Sequence, residues 1–88
     1  MAIIVGGVTE CPVCGTAILP DDAFWNFPHF IQDPSHPLWR FSDCGMHRRC
    51  FQGWEHAEAY RAAFDILWPR LVPNHPRRMV ADGSIVDV

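Results

Sequence analysis

The side chains best suited to inorganic chemistry in this sequence fall into two groups. Cys11 and Cys14 are separated only by Pro12 and Val13, and Cys44, His47 and Cys50 follow far downstream at equal steps along the chain. Two thiolates on one tight turn can grip an ion from one side. A second pair at the mouth of a helix can complete a tetrahedron of sulfur and nitrogen around it. Zinc suits that donor set, since it takes thiolate and imidazole together in a closed four-coordinate site. An iron–sulfur cluster fits a histidine ligand and a single tetrahedron less well.

Five donors compete for four positions. Cys11 and Cys14 belong to every arrangement. His47 with Cys50 is the favoured second pair, because Phe51 and Trp54 follow on the same predicted helix and their rings would pack behind the ion. Cys44 is the alternative ligand, and otherwise a small buried residue. Pro12 fixes the backbone after the first thiolate, and Gly15 permits a positive φ after the second. Cys-Pro-Val-Cys also has the outline of a disulfide oxidoreductase motif. That chemistry needs a helix opening at the motif to lower the thiol pKa, whereas Thr16, Pro20, Asp21 and Asp22 are loop signals.

The elements that must position these groups are short, except one. Residues 3–5 form a predicted strand that Gly6 and Gly7 turn back onto 8–10, delivering Cys11. The aromatic runs 23–30 and 38–42 predict an irregular antiparallel hairpin, bulged or on an edge at Pro28. Ser42 and Asp43 are candidate caps for a long helix from about His47 to Trp68. Its apolar face carries Phe51, Trp54, Ala57, Tyr60, Phe64, Leu67 and Trp68 at steps of three or four. Gly53 weakens that helix, and Pro69 is expected to stop it. Beyond it, 78–81 and 84–86 flank Asp82-Gly83, a tight-turn signal. The whole is expected to be a small zinc-stabilised α+β domain over 1–88. Its zinc-organised core spans about 8–69, and 70–88 is an extended segment or a small hairpin.

Knuckle, hairpin and a helix carrying the second ligand pair, in that order, resemble the treble-clef zinc fingers. His47-Arg-Arg-Cys50-Phe51 is similar to the His-x-x-Cys-Phe segment in which LIM-type fingers supply two zinc ligands. The resemblance covers the arrangement from Cys11 to about Leu67, with specific matches only at Cys11, Cys14, His47 and Cys50. The loop between the ligand pairs is longer than in a LIM domain, and no second ligand set follows. It therefore implies one structural zinc and none of the LIM partners.

Composition narrows the function. Eighty-eight residues make one domain at most, and a chain of that size usually needs a metal or disulfide staple. The formal net charge is −3 and every basic side chain is Arg, so nucleic acid would need a local patch rather than a global attraction. Arg48 and Arg49, beside the ligands, are the candidates for phosphate contact. No run is long enough to cross a membrane and no signal peptide is evident, which points to a cytoplasmic setting where cysteines bind metal rather than one another. No catalytic constellation stands out: Asp21-Asp22 is a turn or cap, and His29, His36, His56 and His75 are surface or turn histidines. The leading expectation is a non-enzymatic module that binds another protein through aromatic side chains among Trp25, Phe27, Phe30, Trp39 and Trp68. A nucleic-acid-binding finger is the alternative. A metal-dependent nuclease using His29 comes third, since a closed four-ligand site leaves no open metal position.

Overall fold

The computed structural model describes residues 7–88; the strand expected at 3–5 lies outside them. The described part of the chain opens by doubling back around Cys11 and Cys14. Glu10 and Ala17 form an antiparallel bridge. Around it Ile18 N–H donates to Thr9 O at 2.8 Å, Cys11 N–H to Thr16 O at 2.9 Å and Gly15 N–H to Cys11 O at 2.8 Å. The loop closes because Gly15 takes φ +74°, a conformation that costs glycine nothing. Ile18 leaves this loop fully buried and anchors it to the core.

Strand β1 (Phe24–Asn26) follows and pairs antiparallel with β2 (Gly45–His47), placing Phe24 opposite His47 and Trp25 opposite Met46. This corrects the expected hairpin partner. Residues 38–42 are not a strand, because Trp39–Phe41 is a 3-10 turn. Local bonds use up the amides there: Phe41 N–H donates to Leu38 O and Ser42 N–H to Trp39 O, both at 3.0 Å. Ser42 does not cap a helix either. Its hydroxyl instead accepts the Ile31 N–H at 3.1 Å.

The expected single helix is two. Helix α1 (Arg48–Gln52) ends at Gly53, and α2 (Ala57–Leu71) starts after a short break. Trp54 N–H donates to Phe51 O and Ala57 N–H to Trp54 O, tighter turns than an α-helix makes. Trp54 turns inward at this break, 4.6 Å from the Phe41 ring and 5.2 Å from that of Tyr60. Pro69 does not stop α2, which runs to Leu71. In the last turn the proline removes only one intrahelical donor, and Val72 N–H still closes onto Trp68 O at 2.9 Å.

A second hairpin completes the chain. Strands β3 (Arg77–Met79) and β4 (Ile85–Asp87) pair antiparallel; against the expected 78–81 and 84–86, the first is shorter and starts one residue earlier, and the second lies one residue later. Gly83 makes the turn at φ +97°. The hairpin packs on α2, where the Asp65 carboxylate accepts the Met79 N–H at 3.1 Å. It also reaches the first sheet, where Trp25 Nε1–H donates to Asp82 O at 2.9 Å. The result is a small α+β domain with two hairpins and one main helix.

The interior between these parts is aromatic. Tyr60 lies 5.2 Å from Phe27 and 5.0 Å from Phe30, and Phe30 lies 5.1 Å from Phe64, all edge-on, the preferred geometry for such pairs. The Tyr60 hydroxyl is satisfied by Phe41 O at 2.6 Å. Of the aromatic residues expected to form an exposed patch, Phe27 and Phe30 are buried and Trp25 and Trp68 pack half-buried against the core. Trp39 is open to solvent.

Candidate metal centre

Cys11 and Cys14 sit on the doubled-back loop, His47 ends β2 and Cys50 lies in the first turn of α1. The pairing of β1 with β2 and the direct join of β2 to α1 bring the last two to the loop. One donor atom from each of Cys11, Cys14, His47 and Cys50 lies within 4.8 Å of all the others. His47 Nδ1 stands 3.4 Å from Cys14 Sγ and 3.9 Å from Cys50 Sγ. Zinc bonds of about 2.3 Å to sulfur and 2.0–2.1 Å to nitrogen place tetrahedral S and N about 3.6 Å apart. The observed distances bracket that value, so this Cys3His cluster has the donor types and the spread that one metal ion takes.

The ring orientation agrees. His47 is fully buried, and its Nε2 lies 2.9 Å from Asp22 Oδ2. A carboxylate there calls for the proton on Nε2, which leaves the Nδ1 lone pair facing the sulfurs. Asp22 is itself fixed by the turn it sits in, its Oδ2 also accepting the Leu19 N–H at 2.8 Å. That backbone bond, followed by His47, holds the Asp22 carboxyl below its usual pKa. Sequence reasoning placed Asp22 in a turn and missed its partner; the contact spans far too much chain for any local pattern to reveal it. Burial works against a charged His47 ring, but Asp22, Cys11 and Cys14 together outweigh it and raise its pKa.

The thiols differ in character. Cys14 is exposed, and its Sγ lies 3.0 Å from the Thr16 hydroxyl. Hydrogen bonds from Thr16 lower its pKa to about 6, so it is a thiolate at neutral pH. Burial, reinforced by the neighbouring sulfurs of Cys14 and Cys11, pushes Cys50 up to about 12. Cys50 therefore keeps its proton until an ion displaces it. Cys44 stands outside the cluster. Its thiol donates to Phe41 O at 2.9 Å, and burial pushes its pKa up to about 12.

The charged neighbours of the cluster are accounted for. The Arg48 guanidinium lies over the Trp25 ring, 4.0 Å from its centroid, and its Nε–H donates to Phe24 O at 3.3 Å. Arg49 is exposed and acts electrostatically on Asp22. The other histidines lie elsewhere: His29 Nδ1 is 3.4 Å from the Ser42 hydroxyl, His36 Nδ1 accepts the Leu38 N–H, His56 meets Glu55, and His75 meets Asp87. Comparison of the chain with known protein families, with curated proteins and with solved structures finds no match.

Proposed function

We propose that this protein is a non-enzymatic zinc module. One structural Zn2+, held by Cys11, Cys14, His47 and Cys50, builds a scaffold that another protein recognises. The observation that carries this reading is the closed donor set. Four donor atoms within 4.8 Å of one another fill every position of a structural zinc and leave none for water or substrate. The order of parts supports a treble-clef-like arrangement, with a knuckle first and the second pair divided between a hairpin strand and the first helical turn. Ligation of the cysteines suits a reducing, cytoplasmic compartment. The large apolar side chains left open for a partner include Trp39, Leu19 and Ile66, which expose 42%, 53% and 60% of their area.

The alternative is a nucleic-acid-binding finger using Arg48 and Arg49. Against it stand the net charge of −3, the Arg48 side chain stacked on Trp25 and the Arg77 guanidinium 3.2 Å from Asp87. Salt-dependent binding to DNA or RNA would favour it. A metal-dependent nuclease using His29 is the third reading; it would need a metal position open to water, which a four-ligand site does not leave.

Native mass spectrometry before and after treatment with a strong chelator tests the proposal. The expected result is one zinc per chain in the untreated protein, a co-purifying protein partner, and loss of helical circular dichroism once the ion is removed. A well-folded chain without zinc, or cysteines oxidised in pairs, would overturn it.

A further inference from the structure

Apart from the Cys3His cluster, with which it shares no residue, the start of the long connection between β1 and β2 runs beside the C-terminal turns of α2. Between them is a slot of about 300 Å3. Phe30 and Ile31, both fully buried, form its floor, and Leu67 and Leu71 its helical wall. The mouth is polar and carries Gln32, Asp33, His36 and Arg70. An apolar slot of this size with a few polar groups converging on its mouth has the make-up of a small-ligand site.

The chemistry of the mouth selects the ligand. Arg70 is exposed, and its side chain has no hydrogen bond or ion pair to any of the described residues. His36 Nδ1 accepts the Leu38 N–H at 3.0 Å, so the neutral ring carries its proton on Nε2 and offers a donor. Asp33 is the acidic residue of the mouth, and it is turned back onto its own loop. Its Oδ1 accepts both the N–H of Ser35 at 2.9 Å and the Ser35 hydroxyl at 2.7 Å. The donors left to bind are the Arg70 guanidinium, the His36 imidazole N–H and the Gln32 amide, above an apolar floor. A planar guanidinium fits a carboxylate, and with Asp33 held in its ionised form by Ser35 at the same mouth the site suits a monoanion rather than a phosphate dianion.

We propose that this slot binds a compact apolar group ending in a carboxylate, with the hydrocarbon on Leu67 and Leu71 over the buried Phe30 and Ile31 and the carboxylate on Arg70 and His36. Such a ligand has two sources: a free short-chain carboxylic acid, or the C-terminus of a peptide that ends in an apolar residue. The site shares no residue with the zinc cluster and stands whether or not the zinc reading holds.

The test is a 1H–15N NMR titration of the full chain, purified with its metal. The probes are heptanoate, heptanamide, and a short peptide ending in leucine as free acid and as amide. Shifts confined to residues 30–36 and 67–71 are expected, with an acid bound at least about tenfold more tightly than its amide, the difference a charge-assisted hydrogen bond makes. Arg70→Gln should abolish that difference and leave the rest of the spectrum unchanged. Tighter binding of heptanoate identifies a free acid as the source, and tighter binding of the peptide acid identifies a C-terminus. Equal binding of acid and amide, shifts elsewhere, or no binding of either acid would overturn the proposal.

Discussion

At the scale of single residues, the ligands are less instructive than the groups that hold them. Asp22 fixes the His47 ring from behind, and such outer carboxylates typically carry about 10–100-fold of metal affinity. Asp22→Asn is therefore expected to weaken zinc binding by about that factor while keeping one ion per chain, as read by competition with a chromophoric chelator. Cys50→Ala should lose the ion and Cys44→Ala should keep it, because the Cys44 thiol points at a carbonyl and not at the cluster. Retention by the first variant and loss by the second would reverse the ligand assignment. The thiol pKa values set the pH response. Cys14, lowered to about 6, is ionised at neutral pH, whereas Cys50, raised to about 12, is not. Zinc must expel the Cys50 proton, so affinity rises with pH by about tenfold per unit for each proton released. Competition titrations at several pH values between the two pKa values check this, and a flat profile would contradict it.

At the scale of elements, backbone breaks decide where the side chains go. The apolar rhythm of Phe51, Trp54, Ala57 and Tyr60 continues straight across the gap between α1 and α2, which is why the sequence reads as one helix. Gly53 was the only local warning, and the cause is tertiary: Trp54 packs on Phe41 and Tyr60. Strand β2 was illegible for a different reason. It is three residues long and begins with glycine, too little for any periodicity. The grouping of Cys11, Cys14, His47 and Cys50 is legible because side chains able to hold a metal are constrained by type and spacing even where the intervening fold is misread. Asp22 and the Trp25–Asp82 contact are long-range consequences of folding and leave no local trace. The second turn glycine offers a direct test. A Cβ on Gly83 would stand 2.8 Å from Trp25 Nε1 and 3.1 Å from Phe51, at φ +97°. Gly83→Ala is expected to destabilise the zinc-bound protein by about 1–3 kcal/mol in denaturant melts. An unchanged midpoint would show that the hairpin does not bear on the first sheet.

At the scale of the whole molecule, the proposed zinc would act on the same equilibrium as the aromatic interior. Structural zinc contributes about 10–16 kcal/mol in finger peptides, while an entire domain is stable by about 5–15 kcal/mol. Folding and metal binding are thus expected to be one transition. An ion that binds only the folded chain raises the melting temperature as its free concentration rises. Calorimetry in zinc buffers should show this dependence, and a midpoint indifferent to free zinc would separate the two processes.

Gly83 pressed against Trp25 has a consequence for the order of events on the ribosome. All four metal donors have been translated once Cys50 is made, but the wall that covers Trp25 and Phe51 does not exist until the second hairpin emerges. Under the proposed zinc reading, the nascent chain would hold all of its donors while Trp25 and Phe51 still lack that cover.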